Sequence, residues 1–312
     1  MVNKPPEAGV RIVEVDAAWA GQRLDNFLAA QLHDVPRSAL YRIIRTGQVR
    51  INGKRCKPMQ KLALGDQVRI PPLRVEPRAA RRVPDAVVRD LESRIVFENA
   101  DLLACDKPAG LAVHGGSGVA WGVVDAFRQS RPELEADLVH RLDRETSGLL
   151  LLGKHPQATR HLQAQFRERE TAKRYLTLLD GRMPEDRMVV NQPLTKTLRG
   201  GERFMVAGSE GQSAFTEFRR LENRGSGTFA EALPLTGRTH QIRAHAVFLG
   251  MACAGDSRYA EPQRLLYWQK RGLERLFLHA HALEFTAPNG QELHLSCPLP
   301  PELTVVLDGL KT

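Results

Sequence analysis

The chain has 312 residues, 42% of them apolar, and carries 45 Lys/Arg against 36 Asp/Glu for a net charge of +9. That length allows one large domain or two, at ~100–200 residues per domain, and no run approaches the ~18 consecutive apolar residues of a membrane span. The first ten residues, MVNKPPEAGV, hold no apolar stretch of the secretory kind, and Cys56, Cys105, Cys253 and Cys297 lie far apart with no CxxC pair. Zinc-ribbon and thioredoxin-like readings are thereby excluded, and free thiols in a cytoplasmic protein are expected.

The charge is unevenly placed. Residues 1–90 hold 17 Lys/Arg and 9 Asp/Glu, a net of +8, so nearly all the excess sits there. A concentrated basic segment is the footprint of a polyanion binder. A membrane surface is the rival partner, but the segment lacks the basic helix with a Trp/Phe/Leu face that interfacial anchors show.

Apolar residues at Leu24, Phe27, Leu28 and Leu32 predict a helix over 22–34. Pro36 and Ser38 open a second helix, with Leu40, Ile43 and Ile44 inward and Gly47 as its stop. Val49-Arg50-Ile51, the turn Asn52-Gly53 and Lys54-Arg55-Cys56 predict a hairpin, and Gln67 to Ile70 a further strand. Residues 71–90, with Pro71, Pro72, Pro77 and Pro84 among arginines, read as a semi-extended linker. Short strands follow at Ile95–Phe97 and Leu102–Cys105, then a loop through Pro108 and Gly110. A helix is expected from Val123 to Arg128. Leu149-Leu150-Leu151-Leu152, bounded by Gly148 and Gly153, reads as a core strand. A helix over Pro156 to Arg169 and strands at Tyr175–Leu179, Ala214–Leu221 and Phe229–Pro234 complete an α/β (α+β) order. Thr239, or the turn at Gly237, is expected to open a last helix.

Polar and charged residues crowd against the four leucines in HRLDRETSG, His140 to Gly148. Arg141 and Arg144 flank Asp143, and nearby cations favour the charged form of a carboxylate, which suits a nucleophile or an electrostatic stabiliser. A second constellation, LTGRTHQIRAH from Leu235 to His245, joins two arginines and two histidines in a stretch suited to clamping phosphate or carboxylate. The His240 to His245 spacing is not the i, i+4 pair of a helical zinc site, and no HExxH glutamate is present, so no metal is expected.

HRLDRETSGLLLL resembles the catalytic motif of the RluA family of RNA pseudouridine synthases, H-R-L-D-x-x-T-S-G followed by apolar residues. GRTHQIRAH, Gly237 to His245, is similar to a second motif of that family. KRY at Lys173 to Tyr175, DKPAGLAVH at Asp106 to His114, GDSRY at Gly255 to Tyr259 and LHA at Leu278 to Ala280 match further ones. RLDNFL (Arg23 to Leu28), Ser38, GQVRINGK (Gly47 to Lys54) and KLALGDQV (Lys61 to Val68) resemble the S4 RNA-binding domain. With VHGGSG at Val113 to Gly118, the chain looks most like the RluC-type branch, whose members modify uridines in large-subunit (23S) ribosomal RNA.

The resemblance implies a pseudouridine-synthase fold, with a central mixed, largely antiparallel sheet flanked by helices and loops, over 91–312. It further implies a small α/β S4 domain over 20–73 and a basic linker over 74–90. It assigns Asp143, Tyr175 and Arg243 to catalysis, with Arg243 paired to Asp143. Arg141, Ile242, Arg238, His240 and Thr146 would bind substrate, and Arg37, Arg42, Arg45, Arg50, Lys54, Arg55 and Lys57 would contact RNA. Asp106, His114, Asp256 and the LHA segment would shape the pocket. The implied reaction breaks the N1–C1′ bond of a flipped-out uridine, rotates the base and rejoins it through C5. It needs no cofactor, and no GxGxxG or Walker pattern is present. The expected partner is large-subunit ribosomal RNA, and a monomer is expected. The rival readings are a synthase acting on another ribosomal or transfer RNA site, a non-catalytic ribosome-assembly factor, and a glycosidase or nucleoside hydrolase.

Overall fold

The computed structural model describes residues 9–17, 19–32, 35, 37–72, 82–116, 119–199 and 202–310, with backbone alone at 37, 38, 199 and 203. The chain divides into two compact units, Met1–Arg81 and Arg82–Thr312.

In the first unit, helices Leu24–Gln31 and Arg37–Arg45 pack on a four-stranded antiparallel sheet. The strand order is Arg11–Glu14, Gln67–Ile70, Arg50–Ile51, Lys54–Arg55. The helix-spaced apolar residues Leu24, Phe27, Leu28, Leu40, Ile43 and Ile44 meet Val49, Val68 and Ile70 in one core. Asn52 (φ 49°) and Gly53 (φ 77°) both take the positive φ that a tight hairpin turn of matching twist requires. Gly47, at φ 74°, ends the second helix. The strand Arg11–Glu14, which lies before the expected start at 20, closes the sheet against Gln67–Ile70. The side chain of Ser38 and residues 73–81, nearly half of the expected linker, lie outside the described residues.

The rest of that linker departs from expectation. Residues Asp85–Ser93 form a helix, and Val83 is buried against the second unit's core. Its amide and carbonyl are both bonded to the Gln129 side chain, at 2.8 and 2.9 Å. Pro84 stands just before the first turn, where its missing N–H and fixed φ cost nothing, so proline there starts a helix rather than breaking one.

The second unit is built on a ten-stranded sheet. Eight strands follow in the order Arg187–Val190, Thr216–Arg224, Gly227–Pro234, Ala172–Leu179, Leu278–Thr286, Ser147–Gly153, Leu102–Lys107 and Ile95–Glu98. Asp137–Leu138 and Glu292–Ser296 pair alongside Ser147–Gly153 and Leu278–Thr286. Every pairing in this sheet is antiparallel except that of Leu278–Thr286 with Ser147–Gly153. All seven residues of Ser147–Gly153 are buried. Leu150 and Leu152 face one core, with Val124 and Phe127 of the helix Val123–Ser130. Leu149 and Leu151 face another, with Leu162 of the helix Pro156–Glu168 and Phe285. Covering on both faces is why four consecutive leucines, rather than an alternating pattern, encode this strand.

One row crosses four strands: Gly148 opposite Ala280, Ala280 opposite Tyr175, Tyr175 opposite Ala232. Small residues on both sides of Tyr175 leave open space beside its ring. Gly148 takes φ 110°, and a Cβ there would stand 2.3 Å from the Ala280 carbonyl oxygen. The parallel pairing therefore depends on glycine. Gly148→Ala combines a steric overlap with a φ that L side chains rarely adopt, and is expected to cost about 3 kcal/mol of stability. Urea titration would show this as a lowered midpoint, and an unchanged midpoint would contradict the close approach.

Candidate active site

The segment from Val139 to Thr146 carries Asp143 and is pinned at several points. His140 Nε2 accepts the Leu151 amide at 3.1 Å, and its ring stacks on Phe166 at 4.6 Å between centroids. Burial, helped by Lys173, pushes His140 down to about 3, so it serves as a neutral acceptor. Leu142 is buried in the core. The Arg144 Nε and carbonyl exchange hydrogen bonds with Gly110, each at 2.8 Å. Beneath them lies Lys107, with no exposed surface. Its Nζ donates to the carbonyls of Pro108, Leu111 and Arg144 at 2.9, 2.8 and 3.1 Å. Burial, then Arg275, pushes this ammonium down to about 7. Thr146 N–H donates to the Asp143 carbonyl at 3.1 Å, closing the turn.

The second contributor runs from Pro234 into the helix Gln241–Phe248. Gln241 fastens it: its Oε1 accepts from Thr236 Oγ1 and Arg238 N, and its Nε2 donates to the Phe215 carbonyl and Thr216 Oγ1. The helix opens after His240, not at Thr239 or Gly237. His240 holds a left-handed backbone, φ 52° and ψ 23°, a conformation that costs a non-glycine residue about 1–2 kcal/mol. Such strain persists where the surroundings enforce it, and it clusters at functional sites. His245 is structural, bonded to Thr216 Oγ1 and the Gln192 carbonyl.

Arg243 makes its strong pair with Asp256, not with Asp143. Its Nε and Nη2 meet Asp256 Oδ2 and Oδ1 at 2.7 and 2.6 Å, while Nη1 stands 3.7 Å from Asp143 Oδ2. The Asp256 side chain has no exposed surface, whereas that of Asp143 is 18% exposed and reaches the cavity. Burial opposes the Arg243 charge, but Asp256, then Asp143, override it and hold the guanidinium above its ordinary value. His240 Nε2 lies 3.8 Å from Asp143 Oδ2 on the other side. The sequence reading placed Arg141 and Arg144 beside this carboxylate. Arg144 is instead turned to Gly110 and Glu145, and Arg141 is exposed on the cavity wall.

These segments enclose a cavity of about 410 Å³. Arg141, Asp143, Thr146, Tyr175, Arg238, His240, Ile242 and Arg243 all line it. Arg238 is held by the Ser213 carbonyl, and Ile242 shares a core with Tyr175. Burial, then the Asp143 charge, pushes the Tyr175 phenol up, so it stays protonated at neutral pH. The sequence reading gave no role to Phe166, Arg167, Arg169 and Lys173, which also line the cavity. Burial, then Arg169, pushes Lys173 down to about 8. The charge at the K-x-Y lysine and the end of the preceding helix was the available signal. Asp143 is the sole acid among the described lining residues, facing six cations.

Asp106, His279 and Cys297 present ligand-type atoms within 4.8 Å of one another. Burial, then Asp106, pushes the Cys297 thiol up, and metal binding needs the thiolate. Arg275, bonded to Ser147 Oγ, which meets His279 Nδ1, adds a cation beside the group. The trio fits a hydrogen-bonded core better than a metal site.

In the first unit, Arg42 and Arg45 are exposed on the second helix, and Lys54, Arg55 and Lys57 on and after the hairpin. Arg50 is half-buried and donates to the Gly53 carbonyl. Arg37 begins the second helix, with its side chain outside the described residues.

Comparison with known proteins fits this layout. Residues 101–247 match the RNA pseudouridylate synthase family and residues 22–68 the S4 domain. The chain is 44% identical over 308 residues, 97% of each chain, to Ribosomal large subunit pseudouridine synthase C of Vibrio vulnificus. It is 44% identical over 315 residues, 99% of each, to the protein of that name from Escherichia coli K12. Human RNA Pseudouridylate Synthase Domain Containing 4 superposes with a TM-score of 0.61 at 25% identity, over 73% of this chain and 97% of its own. The chain belongs to the RNA pseudouridylate synthase family and carries an N-terminal S4 domain.

Proposed function

We propose that this protein converts uridines of large-subunit (23S) ribosomal RNA to pseudouridine, with Asp143 as the group that acts on the sugar. The observation that carries this reading is the lone carboxylate of a cationic cavity, set between Arg243 and His240 with Tyr175 also on the wall. A glycosidase normally needs two carboxylates, and no second acid lines the cavity among the described residues.

The target uridine leaves its stack and enters the cavity. Its base lies against Tyr175 and Ile242, an aromatic face and an aliphatic one. Tyr175 acts as a neutral phenol that stacks and hydrogen-bonds. Asp143 either attacks C1′ or removes the 2′ proton, and in both routes Arg243, 3.7 Å away, aims the carboxylate. The freed uracil rotates and C5 bonds to C1′ as the Asp143 adduct or the glycal is resolved; the C5 proton then leaves and N1 takes up a proton, so atoms are conserved and no cofactor is consumed. Arg141, exposed at the wall, fills the vacated stack or holds the flipped nucleotide's phosphate. Thr146, Arg238 and His240 complete the pocket. The basic unit at the N-terminus adds phosphate contacts through Arg37, Arg42, Arg45, Arg50, Lys54, Arg55 and Lys57, which position RNA without reading its sequence. The protein acts as a cytoplasmic monomer.

Pseudouridine mapping by carbodiimide labelling and primer extension on 23S RNA, from cells with and without the gene, tests the reading. Stops that vanish on deletion and return with wild type but not with Asp143→Asn are expected; an unchanged pattern in 23S RNA would overturn the assignment. In vitro, Asp143→Asn should abolish tritium release from C5-labelled uridine while RNA affinity stays within about twofold, because only charge is removed. Normal turnover by this variant would exclude Asp143 as the reacting group. Replacing Arg42, Arg45 and Lys54 together by alanine should make log affinity against log salt shallower by about 2–3. An unchanged slope would remove these residues from RNA contact.

A further inference from the structure

The second unit carries a two-stranded ribbon, Leu194–Arg199 paired with Glu202–Ala207, outside the main sheet. A line of polar contacts runs from it to the catalytic carboxylate. Met205 N–H donates to Tyr259 Oη at 2.9 Å, Tyr259 Oη lies 2.9 Å from His240 Nδ1, and His240 Nε2 faces Asp143 Oδ2 at 3.8 Å. The direction of the line follows from the charge at its end: a carboxylate facing Nε2 disfavours a lone pair there and favours Nε2–H, which leaves Nδ1 to accept the phenolic proton. A backbone N–H cannot accept, so the single phenolic proton of Tyr259 is available for His240 Nδ1. A neutral imidazole that accepts at Nδ1 carries its proton on Nε2, the nitrogen that faces the carboxylate. The opposite tautomer would aim a lone pair at Asp143.

The groups facing His240 keep it neutral. Burial pushes it down, Asp143 and Asp256 pull it up, and Arg243 and Arg258 push it down again, with the net shift downward. The ring of Tyr259 is itself wedged: Arg243 Cζ lies 4.9 Å from its centroid, His240 meets it edge-on at 5.6 Å, and Phe204 of the ribbon meets it edge-on at 5.5 Å. Arg258 stacks over Phe204 and reaches Glu202 at 3.1 Å, fastening the ribbon to the same turn. Between the ribbon and the helix Gln241–Phe248 a cavity of about 120 Å³ remains. The ribbon's seat therefore leaves space, and it is held by these polar and aromatic contacts together with an apolar cluster in which Leu194, Met205 and Ala207 pack against Ala244.

We infer that Tyr259 is a positioning residue that fixes His240 in the Nε2–H tautomer against Asp143, and that the seated strand Glu202–Ala207 of the ribbon completes this arrangement through the Met205 amide. Substrate binding then closes the 3.8 Å gap to a hydrogen bond, as contacts that are long in a free enzyme commonly tighten. The inference rests on Asp143 being the reacting carboxylate.

Tyr259→Phe keeps the ring and removes only the hydroxyl, so it tests the relay with little change of packing. In ¹⁵N-labelled protein without RNA, the His240 signal, assigned by its loss in His240→Asn, should show a bare Nδ1 and a protonated Nε2. Tyr259→Phe should convert it to a mixture of tautomers or to Nδ1–H. In tritium-release assays kcat should fall about 10- to 100-fold, the scale of misaimed catalytic groups, with KM for RNA within about twofold. Phe204→Ala, which unseats the ribbon without touching His240 or Asp143, should lower kcat in the same sense. A protonated Nδ1 in the wild type, or an unchanged tautomer and kcat in Tyr259→Phe, would overturn the relay. An unchanged kcat in Phe204→Ala would remove the ribbon from it. An inactive wild type with the expected tautomer would instead count against the proposed reaction.

Discussion

Arg243 has a single free direction. Two of its nitrogens are taken by Asp256, which is wholly buried, and the third points at Asp143. A guanidinium this deeply placed requires a partner, since breaking a buried ion pair costs about 3–5 kcal/mol. Asp256 meets the demand and is itself held by the amides of Arg258 and Tyr259. The turn that places it depends on Gly255, at φ 73° and with the Arg275 carbonyl where a side chain would begin. One buried pair thus orders the GDSRY turn, the helix from Gln241 and the charge facing the Asp143 loop. Asp143 keeps only a long contact to Arg243 because Asp256, and not Asp143, supplies the strong partner.

The sheet decides that these pieces meet. Its one parallel pairing places Ser147–Gly153 beside Leu278–Thr286, so the loop that precedes the first strand opens toward Tyr175 on the next. Gly148, Ala280 and Ala232 lie in one row with Tyr175, and their small size leaves its ring on the cavity wall. Below, Lys107 spends its three protons on three carbonyls and ties two loops together. Precision at the carboxylate comes from backbone groups held by buried side chains, which lose little when substrate binds.

Electrostatics point one way in both units. The excess positive charge of the first 90 residues and the six cations around the cavity both suit a polyanion. Burial, then the neighbouring Arg169, pushes Lys173 down to about 8.

The sequence by itself determined the family, the core strand of four leucines and the segments that bring Asp143, Tyr175 and Arg243 to the cavity. These are properties of contiguous strings, in which periodicity and motif spacing report local geometry directly. Only the tertiary structure decided who pairs with whom. Arg243 took Asp256 because a turn thirteen residues on folds back against its helix. His140 became a buried acceptor for Leu151, and Arg144 turned from Asp143 to Gly110. The stretch from Val83 to Ser93 joined the core where prolines and arginines had suggested a linker. Each of these outcomes rests on contacts between segments distant in sequence. Burial makes such contacts compulsory, because a charge or amide removed from water takes whichever partner the fold brings within reach.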